Sequence, residues 1–143
     1  MKLDVCISEA NAPRGNVLIV KPEKRPVTKD IAICVDSFEK IIRGSLEALI
    51  CKERGVAFLY DTNWNELYLP VNRALLDRNN QENPIVLHGT FIVMGFVVDD
   101  GNTITFTGLS KEQLHFYKTY FAPTVRVEMV DGKPELMFNL MAR

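Results

Sequence analysis

The stretch "IVLHGTFIVMGFVVDDGNTITFT", residues 85–107, decides the fold that we expect for this chain. Its first part, 85–98, is apolar apart from His88 and Thr90 and is rich in β-branched side chains. This composition favours one long central strand with a glycine bend over a helix. The "DDGN" that follows is typical of a tight turn. The strict alternation in "TITFT" then predicts a half-buried antiparallel strand over 103–107.

Further strands are predicted on both sides of this stretch. "VLIVKP" (17–22) is a short apolar run closed by proline. "LEALICKERGVAFLY" (46–60) divides at its glycine into two strands of a hairpin, and after a turn at 61–65 we expect "ELYLP" (66–70) to form another strand. The tail "TVRVEMVDGKPELMFNL" (124–140) contains Asp-Gly between two β-like runs and is predicted to be a C-terminal hairpin.

Two short helices complete the prediction, at about 37–43 and 111–121. Asp36 or Ser37 can cap the first helix, and Gly44 can end it in a left-handed conformation. Ser110 and Gln113 have the spacing of a capping box for the second. The predicted fold class is therefore α+β, a mostly antiparallel sheet with two short helices packed on it.

Length and composition indicate a single domain spanning 1–143. The chain is 47% hydrophobic and 24% charged, which is typical of a globular protein. A net charge of −1 argues against a nucleic-acid partner, because such proteins concentrate Lys and Arg. No run approaches the ~20 apolar residues that span a bilayer, so we expect no membrane association and a cytoplasmic location.

Residues that could perform chemistry are scarce. Cys6, Cys34 and Cys51 share no spacing typical of a zinc site or a disulfide framework, and we expect reduced, buried thiols. His88 and His115 have no metal-ligand partner at a useful spacing. We therefore predict no catalytic residues, no metal, no cofactor and no enzymatic activity.

The segment "LPVNRALLD" (69–77) raises the main question about a site, because Asn72, Arg73 and Asp77 lie among apolar neighbours. An arginine in such surroundings needs a partner, and a structural set that hydrogen-bonds a turn between strands is one interpretation. The other is a binding site in which the guanidinium of Arg73 meets an anionic group. In that hypothesis Asn72 and Arg73 hold a nucleotide-like anion beside Trp64 or Tyr68.

Four motifs occur in an order that is typical of a known family: "VLIVKPEKRPVTKDI", "LPVNRALLD", "HGTFIVMGF" and "FTGLSKEQLHFYKTYF". Together they resemble the bacterial and phage family known as domain of unknown function 3846. The resemblance covers 17–121 and leaves out an N-terminal arm (1–16) and the C-terminal hairpin (124–140). It implies an accessory protein of phages, plasmids or other mobile elements, with no assigned activity. The positions that match the family pattern are Asn72, Arg73, Asp77, Gly89, Thr90, Phe91, Phe106, Thr107 and Gln113.

These observations lead to two main hypotheses. In the first, the chain is a non-catalytic protein of a phage or another mobile element that binds a host protein and inhibits a host defence system. The N-terminal arm and the C-terminal hairpin would then supply strand edges and exposed side chains such as Met129, Met137, Phe138 and Met141, and the same edges could pair copies of the chain into a homo-oligomer. The alternative is a protein that binds or sequesters a small anionic ligand with Asn72 and Arg73. A hydrolase is kept as a residual third hypothesis.

Overall fold

A computed structural model describes residues 2–77 and 80–139 of the chain, apart from the side chains of residues 76, 77 and 80–84. In this part of the chain the structure has two helices and mostly antiparallel strands, which confirms the predicted α+β class. The helices are α1 (Val35–Ile42) and α2 (Lys111–Tyr120). The strands are β1 (Lys2–Asp4), β2 (Arg14–Val20), β3 (Val27–Ala32), β4 (Leu46–Cys51), β5 (Val56–Asp61), β6 (Val71–Asp77), β7 (Asn80–His88), β8 (Phe91–Val98), β9 (Thr103–Thr107), β10 (Thr124–Val130) and β11 (Lys133–Asn139).

Strand β8 is the centre of a seven-stranded sheet. One of its edges pairs with β5, and β4 lies beyond β5. Its other edge pairs first with β2 and then with β9, so these two strands lie end to end along β8. Strand β3 lies beyond β2 and pairs with it in antiparallel orientation. Strand β1 lies beyond β9 and pairs with it in parallel orientation. Lys2–Asp4 therefore form a short edge strand.

Glycines allow β2 and β9 to meet on the same edge of β8. A Cβ added to Gly15 would lie 2.6 Å from the Cα of Gly108. Beside this contact, the backbone N–H of Leu109 donates to the carbonyl of Asn16 at 2.7 Å. No side chain larger than hydrogen fits between the two backbones at this approach.

Both faces of the large sheet are buried, which explains why its central strands are almost continuously apolar. One face packs under α1, and its core includes Val17, Ile19, Phe38, Leu59, Ile92, Met94 and Phe106. The opposite face packs under α2 and the β6–β7 hairpin, and its core includes Leu18, Val20, Phe58, Leu87, Phe91, Tyr117 and Phe121. Neighbouring residues of β2 and β8 thus alternate between two separate cores.

The first helix differs from the prediction at both ends. Its N-cap is Cys34 rather than Asp36 or Ser37, and its left-handed C-cap is Arg43 (φ 59°) rather than Gly44. Gly44 has a different role, because a Cβ there would overlap the carboxylate of the buried Asp61. The prediction for the second helix is confirmed, since Ser110 and Gln113 form a complete capping box.

Two of the strand predictions are wrong. Residues 85–98 are not one strand, because Gly89 adopts a φ of 71° and separates β7 from β8. Strand β7 instead pairs with β6 in a hairpin of its own. Residues 66–70 form turns and an irregular segment rather than a strand. The predicted hairpins of β4 with β5 and of β10 with β11 are both confirmed.

Candidate functional site

Asn72 and Arg73 lie in β6, and both side chains are buried, with exposed fractions of 0% and 1%. The amide Nδ2 of Asn72 donates to the carbonyls of Val20 (2.8 Å) and Gly89 (2.7 Å). It thereby connects β6 to the end of β2 and to the turn before β8. Its Oδ1 accepts a hydrogen bond of 2.8 Å from Nη1 of Arg73.

The guanidinium of Arg73 donates to backbone carbonyls from three parts of the chain. Nε donates to Phe121 at the end of α2 (2.9 Å), Nη1 to Asn72 (3.1 Å), and Nη2 to Lys24 in the β2–β3 connection. Burial lowers the pKa of Arg73 to about 10. Carbonyl dipoles thus solvate a charge that has been removed from water. These are the bonds that the structural interpretation predicts, and a ligand-binding role for this pair stays a prediction.

The other predicted site residues lie apart from this network. The indole of Trp64 stacks on the ring of His88, with centroids 3.9 Å apart, and Nδ1 of His88 is 3.0 Å from the carbonyl oxygen of Leu69. Tyr68 is 91% exposed and has a positive φ of 52°. None of the described hydrogen bonds or ring contacts joins Trp64 or Tyr68 to Arg73. The side chain of Asp77 lies outside the described residues.

Sequence reasoning missed a cleft between α2, the β4–β5 hairpin and the β6–β7 hairpin. This aromatic cleft has a volume of about 580 Å³. Arg54 lies at its rim, with its guanidinium carbon 4.0 Å from the ring centroid of Phe116. Burial is the main cause that raises the pKa of Tyr117, and the neighbouring Cys51 raises it further. The lining residues include Leu49, Cys51, Glu53, Arg54, Phe58, Phe116, Tyr117 and Tyr120.

The C-terminal hairpin of β10 and β11 has two chemically different faces. Its register places Val125 opposite Phe138, Val127 opposite Leu136, and Met129 opposite Pro134. Because paired residues share a face and successive residues alternate, these six side chains form one apolar hairpin face. The other face carries all the charged residues of the two strands, Arg126, Glu128, Lys133 and Glu135, together with Thr124, Val130, Met137 and Asn139.

Exposure of the apolar hairpin face increases along β10 toward the hairpin turn. Val125 is buried where β10 lies beside β6. Further along β10, Val127 is 43% exposed and Met129 is 67% exposed. Phe138, which lies opposite Val125 on β11, is 53% exposed. On the opposite face Arg126 and Glu128 form an ion pair of 2.6 Å. The described residues therefore leave much of an apolar sheet face in contact with solvent.

The described part of the chain holds no group of three or more His, Cys, Asp or Glu side chains that could bind a metal ion. Neither α1 nor α2 is long and apolar enough to cross a membrane. The three thiols are free. The expectation that they are buried is correct for Cys34 but wrong for Cys6, which is exposed, and Cys51 is partly exposed.

The fold and these surfaces define an α+β domain whose polar network is internal and whose C-terminal hairpin presents an apolar face. Residues 14–122 match the family model described as "Domain of unknown function (DUF3846)". The chain belongs to this family, and the resemblance drawn from its motifs is confirmed. The hairpin of β10 and β11 lies outside the matched residues. Comparison with curated proteins and with solved structures gave no match.

Proposed function

We propose that this chain is a non-catalytic accessory protein that binds a partner protein through the apolar hairpin face. The observation that carries the proposal is the separation of apolar and charged side chains on the two faces of β10 and β11. A two-stranded hairpin has little stability by itself, so an exposed apolar face on it needs another surface for burial. Association with a second protein would supply that surface.

The partner in this proposal is a host protein with an apolar patch of matching size. The family-like motifs support a phage or another mobile element as the source, the bacterial cytoplasm as the location, and inhibition of a host defence system as the outcome. Met129 and Phe138 are the main expected anchors, since large flexible or aromatic side chains are enriched in the centres of interfaces. The charged residues of the opposite face would remain in water.

Capture from a host lysate with matched variants tests the proposal. Val127→Asp places a charge on the apolar hairpin face, whereas Glu128→Gln changes the adjacent residue on the opposite face. We expect a host protein that is captured by the wild type and by Glu128→Gln and is lost with Val127→Asp. Equal capture by all three proteins contradicts the proposal. Self-association that Val127→Asp abolishes, with no captured protein, would replace the host partner with a second copy of the chain.

Binding of a small ligand is the second candidate, and the aromatic cleft favours it. Its volume of about 580 Å³ is within the usual range of ligand sites. The ring of Phe116 and the guanidinium of Arg54 could receive a planar anionic molecule such as a nucleotide.

A thermal-shift panel of nucleotides and cyclic nucleotides tests this candidate, since a ligand at 100 times its Kd stabilises the fold by about 2.7 kcal/mol. Arg54→Ala should abolish a shift that arises in the cleft. Arg14→Ala removes an exposed cation that does not line the cleft, and it should leave that shift unchanged. A flat response across the panel removes this candidate.

A further inference from the structure

Strand β4 is an unprotected edge of the large sheet. Among the described residues, β4 pairs with β5 alone. Its sequence "LEALIC" contains one charged residue, Glu47, and its other side chains are partly buried. Natural proteins usually protect an edge with charges, proline or a bulge, because an open edge pairs readily with another strand.

The hydrogen-bonding pattern of the β4–β5 hairpin shows which backbone groups of β4 are free to bond an added strand. The N–H of Thr62 donates to the carbonyl of Ser45 at 2.8 Å. Because antiparallel pairs alternate between bonded and non-bonded, Glu47, Leu49 and Cys51 direct their backbone groups toward β5. The N–H and C=O groups of residues 46, 48 and 50 therefore point away from β5, toward the open edge.

Two grooves flank this edge on opposite faces of the sheet. On the α1 side, a groove of about 490 Å³ is lined by Leu46 and Ala48 of β4 and by Phe38 of α1. On the α2 side, the aromatic cleft is lined by Leu49 and Cys51 of the same strand. Successive side chains of an added strand point to alternate faces, so they would enter the two grooves in turn.

The charge of the α1-side groove indicates which kind of added strand could bind beside β4. Glu39 of α1 contributes a carboxylate to the lining of this groove, and no basic residue of the described chain lines it. The side chain of Glu47 instead lies on the α2 side, like those of Leu49 and Cys51. Its Oε2 accepts a hydrogen bond of 2.6 Å from Thr62. A basic side chain on the added strand would therefore complement the α1-side groove. A second copy of β4 could not supply that basic side chain, because the one charged residue of the strand is Glu47.

We propose that β4 binds an extended segment of another protein by strand addition. The segment has apolar side chains on both faces and a Lys or Arg beside Glu39. Main-chain hydrogen bonds to residues 46, 48 and 50 supply the pairing, and the two grooves supply sequence preference. This surface is separate from the apolar hairpin face, so the proposal does not depend on the proposed function.

A display library of random ten-residue peptides is the probe that tests this inference. We expect enriched peptides with alternating apolar residues and at least one Lys or Arg. Ala48→Pro removes an outward N–H without removing a bond to β5, a substitution that edge strands tolerate. It should weaken binding of the enriched peptides about tenfold or more. Glu39→Lys changes an exposed side chain of α1, outside the edge itself, and should remove the preference for basic peptides.

Val127→Asp on the hairpin is the control and should leave peptide binding unchanged, which separates this result from the test of the proposed function. Thermal unfolding establishes that each variant is folded. The inference is overturned if the library yields no enriched peptide, or if folded Ala48→Pro and Glu39→Lys proteins bind the enriched peptides like the wild type. Self-association of the wild type that Ala48→Pro abolishes would also overturn it, because the edge would then be occupied by a second copy.

Discussion

Asn72 and Arg73 form one buried unit in which Nη1 of Arg73 donates to Oδ1 of Asn72 at 2.8 Å. The remaining donors of the two side chains reach carbonyls of Val20, Gly89, Lys24 and Phe121. The pair therefore connects β6 to β2, to the turn before β8, to the β2–β3 connection and to the end of α2. A change in either side chain is expected to affect all four contacts.

Arg73→Ala should destabilise the fold by ~3–5 kcal/mol, because it leaves several buried carbonyls without a donor and creates a cavity. Urea unfolding measures this loss. The exposed Arg14, which pairs with Asp30 at 2.7 Å, provides the control, since Arg14→Ala should cost less than about 1 kcal/mol. Similar small losses for both variants would show that Arg73 does not hold the fold together, and its ligand-binding interpretation would gain support.

The free energy of unfolding should decrease at alkaline pH because the phenol of Tyr117 ionises more readily in the unfolded chain. Burial raises the pKa of this phenol in the folded chain, whereas in the unfolded chain it is about 10. Above pH 10 the unfolded chain releases this proton while the folded chain retains it, so the free energy of unfolding falls as pH rises. Unfolding followed between pH 9 and about 11 measures the slope, and Tyr117→Phe should make it shallower. An unchanged slope in this variant contradicts the assignment.

Gly15→Ala should cost ~1–3 kcal/mol, because the added Cβ meets the backbone of Gly108 where β2 and β9 approach each other. Gly101→Ala is the matched control, since a Cβ added there would lie 3.4 Å from a side-chain oxygen of Asp99, an ordinary contact. Thermal unfolding compares the two variants. Equal melting temperatures would indicate that the two strands can separate at this point without loss of stability.

The sequence predicted the elements whose local signals agree with their packing. Ser110 and Gln113 set the start of α2, and Asp131-Gly132 set the turn of the C-terminal hairpin. These signals depend on a few adjacent residues, so tertiary contacts did not alter them. The buried environment of Arg73 was also foreseen, because the apolar residues around it are adjacent in the chain.

Other features depended on contacts between distant residues. The run 85–98 is apolar throughout because both of its halves are buried, but Gly89 directs β7 into a separate hairpin. The sequence pattern predicts Gly44 as the residue that ends the helix. In the structure a glycine is required there because the carboxylate of Asp61 leaves no room for a Cβ. The aromatic cleft combines side chains from β4, β5 and α2, and no local pattern in the sequence brings those together.

The central claim of this account is that the apolar hairpin face is a contact surface for another protein. Photo-crosslinking in host cells tests it directly, with benzoylphenylalanine placed at Met129 on that face or at Glu128 on the opposite face. We predict a crosslinked host protein from position 129 and none from position 128. Identical crosslinks from both positions, or none from position 129, would contradict the claim.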